Sequence, residues 1–86
     1  MMDLSKLAKR AQEEFAGLSN LLVEGVVGIS KKEEGWVVSL EVLERRSIPD
    51  TMDILGLYEV YLDPEGNPTG YERKRLRKRG DTEEER

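Results

Sequence analysis

The chain is 86 residues long, with 37% apolar and 37% charged side chains, which suffices for one small domain with one modest core. It has neither cysteine nor histidine, which excludes disulfides, thiolate metal sites and cysteine nucleophiles, and also removes the commonest general base and metal ligand. No apolar run approaches the ~18 residues that cross a bilayer, and the opening Met1-Met2-Asp3-Leu4-Ser5-Lys6 lacks the basic-then-apolar order of a secretory signal. The expectation is therefore a cytoplasmic protein with no membrane partner, no metal and no cofactor. Beneath the net charge of −4 lies a layout: 7 basic and 14 acidic residues in 1–72, 6 basic and no acidic in 73–79, then one basic and four acidic in 80–86.

Leu4, Leu7, Ala8, Ala11, Phe15 and Leu18 recur at the three- and four-residue intervals of one helical face. Asp3 is placed to cap the first turn, and Gly17 suits a C-terminal stop. Ser19-Asn20 reads as a turn. A first strand is expected over residues 25–30, weakened by Gly25 and Gly28, which mark a bend or a close approach of the helix. Lys31 to Gly35 forms a polar hairpin connection whose glycine can take positive φ.

Most of the apolar mass lies between Gly35 and Leu62. The second strand, residues 36–45, places Trp36, Val38, Leu40 and Val42 on one uniformly apolar face, which the helix should cover with Trp36 largely buried. The third strand, residues 54–62, turns Ile54, Gly56, Tyr58, Val60 and Leu62 the same way. Between them, Ser47-Ile48-Pro49-Asp50-Thr51-Met52-Asp53 is long for a hairpin link. Its Asp50 and Asp53 read either as acceptors for backbone N–H groups in a stiff bend or as a contact for a cation or partner. They lack the further oxygens of a calcium loop. Asp63-Pro64-Glu65-Gly66-Asn67 is a strong turn signal, and a fourth strand follows from Pro68 to about Arg77. The expected fold class is α+β: an N-terminal amphipathic helix packed on one face of a four-stranded antiparallel β-meander. Residues 1–79 form a single domain and residues 80–86 a disordered acidic tail.

No phosphate loop, no nucleophile elbow and no fixed pair of carboxylates in a cleft is readable, so an enzyme is not expected. Two features suit binding. One helix cannot cover both faces of a sheet, which leaves Val37, Leu43, Leu57, Tyr61 and Leu76 among charges on the outer face; such a patch marks a partner site or is scattered surface. The strip Arg73-Lys74-Arg75-Leu76-Arg77-Lys78-Arg79 can take phosphates, dock an acidic protein surface, or pair with Glu41, Glu44 and Glu59 on neighbouring strands. The candidate partner-binding residues are Leu43, Leu57, Tyr61, Arg73, Arg75 and Arg77.

Several segments agree in order and spacing with one known family. Gly35-Trp36, then Arg45-Arg46-Ser47-Ile48-Pro49-Asp50-Thr51-Met52-Asp53, then Tyr58-Glu59-Val60-Tyr61-Leu62-Asp63, Gly70-Tyr71 and the basic end resemble the gas vesicle protein O family, over about residues 5–79. The resemblance implies a small cytoplasmic accessory protein for assembly of gas vesicles, which are protein-walled, gas-filled buoyancy organelles. It implies other accessory gas vesicle proteins or the wall protein as partners, and no catalytic residues. The alternative it leaves open is a nucleic-acid-binding regulator of gas vesicle gene expression that uses residues 73–79.

Overall fold

The computed structural model describes residues 3–80; residues 81–86, most of the expected acidic tail, lie outside them. Helix α1, Leu4–Ser19, is followed by strands β1 (Leu22–Lys32), β2 (Gly35–Arg45), β3 (Ile54–Leu62) and β4 (Pro68–Lys78), with a 3-10 turn at Asp50–Met52. The strands form one antiparallel sheet in the order β1-β2-β3-β4, so the helix-plus-meander expectation holds.

Asp3 caps α1 by accepting the Ser5 N–H at 2.9 Å. The helix runs through Gly17 rather than stopping there, and ends where Asn20 takes a left-handed conformation (φ 62°). Hydrogen bonds fix that end. The Asn20 N–H donates to the Ala16 carbonyl, while the Ser19 hydroxyl donates to the Phe15 carbonyl at 2.8 Å and accepts the Leu21 N–H at 3.1 Å. A glycine at 17 offers no side chain for such bonds.

Leu7, Ala11 and Phe15 pack on Val38, Leu40 and Val42 of β2 and on Tyr58, Val60 and Leu62 of β3. Phe15 meets the Tyr58 ring at 4.7 Å and the Tyr71 ring at 5.0 Å between centroids. Trp36, expected in the interior, is only half-buried at the rim of this cluster, with the Lys31 ammonium 4.9 Å from its ring centroid. Its face is the one the alternation predicts, since it packs against the core cluster, but the ring stays partly open to solvent. An amphipathic ring with a cation on its face tolerates such a rim.

Strand β1 is longer than its glycines suggested, because it pairs with β2 along its whole length through two bulges, at Glu24 and Val27. Nothing approaches Gly25 or Gly28 closely. Gly35, by contrast, has φ 145° and faces the Leu62 carbonyl so closely that a Cβ would lie 1.9 Å from its oxygen; no other residue fits there. The β3–β4 turn is as read: the Asp63 carboxylate accepts the Glu65 and Asn67 N–H groups at 3.0 and 2.9 Å, which holds its carboxyl below the usual range.

Candidate functional site, the outer face of the sheet

The face away from α1 is set by strand register. Leu43 pairs with Leu55, Glu41 with Leu57 and Val37 with Tyr61 across β2 and β3, and Leu55 and Leu57 pair with Arg77 and Arg75 across β3 and β4. Leu43, Leu57, Tyr61, Arg75 and Arg77 are thus brought to one face. A register shift at Lys74 separates Arg73 from them: Arg73 pairs with Tyr58 and Leu76 with Gly56, both on the helix side. The expectation of Leu76 on the outer face fails for this reason, since one extra residue reverses the alternation that follows it. Leu43 does face outward, yet it is buried.

Arginines reach across this face to carboxylates on neighbouring strands. Arg77 reaches across β3 to Glu41 on β2, with Nη2 2.7 Å from Oε2. Farther along, Arg79 reaches Asp53, Nε to Oδ2 at 3.2 Å, and Glu24 on β1, with Nη1 and Nη2 at 2.9 and 2.7 Å from the two carboxylate oxygens. The fork-to-fork contact holds the Glu24 carboxyl below its usual range and raises Arg79 above its own. On the helix side Arg73 lies 3.7 Å from Glu44, to which the Tyr58 hydroxyl also donates a short hydrogen bond. Burial and that bond push Tyr58 up to about 12. Lys74 pairs with Glu72 at 3.6 Å. Pairing with Glu41 and Glu44 follows the sequence reading. Glu59 instead accepts the Tyr61 hydroxyl at 3.3 Å, which also donates to Glu72 at 3.0 Å and rises to about 12 chiefly for that reason.

The 48–53 link is tied into the same system. Asp53, 3% exposed, accepts the Ser47 N–H at 2.7 Å, and its carbonyl accepts the Arg79 N–H at 2.8 Å. Asp50 differs from its expected role: its side chain is exposed and caps nothing, and only its carbonyl is used, by the Asp53 N–H at 3.0 Å. The Glu24–Arg79–Asp53 clasp has one sequence cue, an acid just before β3 and an arginine just after β4, which the hairpin pairing Ile54 with Lys78 brings side by side. Among the described residues no acidic group is arranged to hold a metal ion, and no helix is long and apolar enough to cross a membrane.

A hollow lined by Val27, Leu55, Leu57, Glu41, Arg75 and Arg77 remains on this face. Its apolar floor and charged rim suit a protein contact, and the family comparison bears on which kind. The family described as gas vesicle synthesis protein GvpO matches residues 1–83. This chain belongs to the GvpO family. It is 43% identical over 82 residues to gas vesicle protein O1 of Halobacterium salinarum, covering 95% of this chain and 69% of the relative. Gas vesicle protein O of Haloferax mediterranei is 41% identical over 83 residues, and that of a Streptomyces species 39% over 75, covering 95% and 87% of this chain. The chain spans 59% of the length of each of these latter two relatives. No solved structure matches it. GvpO membership ties the chain to gas vesicle synthesis.

Proposed function

We propose that this chain is a non-enzymatic, cytoplasmic accessory protein of gas vesicle assembly that acts by contacting other gas vesicle proteins through the outer face of its sheet. The observation that carries this reading is the internal pairing of the basic strip: Arg73, Lys74, Arg77 and Arg79 lie against Glu44, Glu72, Glu41 and Glu24 with Asp53. A phosphate backbone would have to displace those carboxylates on a body that is acidic elsewhere, which favours a protein partner over nucleic acid. Leu57, Arg75 and Arg77 line the hollow and carry the contact, with Tyr61 farther along the same face and Leu43 buried on it, while Arg73 serves the opposite face.

The test is capture of purified gas vesicle proteins by the full chain and by Leu57→Asp and Arg75→Glu variants whose circular dichroism matches the parent. Each variant should lower capture at least tenfold, and the Leu57→Asp loss should persist at high salt, because its contribution is apolar. Salt-sensitive RNA or DNA binding that is lost in Arg75→Glu and kept in Leu57→Asp, with protein capture unchanged in both, would overturn the reading in favour of a nucleic-acid-binding regulator.

A further inference from the structure

The two edges of the sheet are unlike. Edge strand β4 carries Glu72, Arg73, Lys74, Arg75, Arg77 and Lys78 among its 11 residues, a pattern that discourages strand addition. Edge strand β1 has no charge from Gly25 to Ser30, and its Glu24 is tied to Arg79. Along it Leu22, Val26 and Val27 are 55%, 37% and 63% exposed.

Gly25 and Gly28 each follow a bulge residue, Glu24 and Val27, a place where strands often take glycine, yet neither bulge demands it. Neither has positive φ, and a side chain at either would meet no heavy atom within 4 Å. Glycine inside a strand nonetheless weakens it and often marks a close backbone approach. We propose that β1 is the docking edge for a second copy of this chain, paired antiparallel about a two-fold axis at Val26.

The register is dictated by the faces. The pairing with β2 turns Val23, Val26, Ile29 and Lys31 toward the helix side, with Leu22, Gly25, Gly28 and Ser30 outward. With Val26 opposite Val26 of the second copy, Val23 meets Ile29 on the helix side and Leu22 meets Ser30 on the outer side. In the same register the bulge residue Glu24 falls opposite Gly28, and the bulge residue Val27 opposite Gly25. Each irregular residue therefore meets a position with no side chain, which gives both glycines a reason beyond their place beside the bulges. Lys31 falls opposite Leu21, so no like charges are opposed. A two-fold contact of this kind is closed and self-complementary, and it continues the backbone ladder by strand addition.

The test uses the 86-residue chain in light scattering and sedimentation at rising concentration, where the mass should double. Gly28→Val fills space that is empty in the single chain, so it should leave melting unchanged at dilutions where the parent is monomeric and weaken association at least tenfold. Val26→Lys sets two ammonium groups face to face and should do likewise. Because the chain contains no cysteine, Val26→Cys gives an unambiguous cross-link. Directly opposed residues stand ~4.5–5.5 Å apart at Cα, within disulfide range, so mild oxidation should yield a covalent dimer, whereas Leu18→Cys on the helix should not. A monomer mass at every concentration overturns the proposal, and so does dimerisation undisturbed by Gly28→Val and Val26→Lys. A monomer whose capture of a different gas vesicle protein fails in Val26→Lys assigns the edge to that protein instead, and also overturns it.

Discussion

The two faces of this sheet solve the same problem with different chemistry. The helix face is closed by Leu7, Ala11 and Phe15 over six apolar strand residues, as any small domain with one helix can do. Among the described residues the outer face has no second helix, and Leu43 and Leu55 are buried there all the same, at the end of the sheet where Arg77 of β4 and Arg79 just beyond it reach carboxylates on β2 and β1. Aliphatic stems shield apolar floor while their charged ends stay paired and wet. A charge content of 37% is thus part of how the sheet is covered. An apolar lid is strong and indifferent to salt, whereas a lid of ion pairs is weaker, screened, and open to rearrangement by a partner.

The sharpest way to break the comparison is on the apolar side. Phe15→Ala empties the site where α1 meets Tyr58 and Tyr71 and should cost about 3–5 kcal/mol, read as a lowered urea midpoint with little dependence on salt. That is a large share of the ~5–10 kcal/mol available to a domain of this size.

On the other side, Asp53→Ala removes the acceptor for the Ser47 N–H and one partner of Arg79, and should cost about 1–3 kcal/mol. Asp50→Ala, three residues earlier in the same link, should fall within about 0.5 kcal/mol of the parent. Equal melting of the two variants would mean that the clasp does not hold the link.

The smallest effect sharpens the contrast through pH. Tyr58 is buried and titrates at about 12 when folded, against about 10 unfolded. A raised folded value means that its contribution is full below pH ~10 and is lost as pH climbs through about 12. Tyr58→Phe should flatten stability across that window. Tyr61 also titrates at about 12 but on the more open outer face, where water screens the interaction, so Tyr61→Phe should change the profile far less.

Strand pairs, their order and the buried face are legible in the sequence because alternation with a period of two runs unbroken through residues 36–43 and again through 54–62, and the turn residues are unambiguous. Irregularities are not. Nothing in the composition of β4 marks the shift at Lys74, which parts Arg73 from Arg75 and Arg77 and leaves Leu76 on the helix side. The burial of Asp53 and its separation in role from Asp50 depend on Arg79, which lies 26 positions away. Trp36 lies on the face its alternation predicts, but alternation does not report its place at the rim of the cluster, where the ring is only half-buried.

The clasp between Glu24 and Arg79 joins residues 55 positions apart, and this separation governs when it acts. Contacts so distant along the chain form only after the intervening hairpins have assembled, because closing so long a loop early costs entropy with little to offset it. A contact made that late is expected to leave the rate of folding alone and to slow opening, so removing it should speed unfolding more than it slows folding. The last basic residue of the strip thus bears on how long the native sheet lasts more than on how fast it forms.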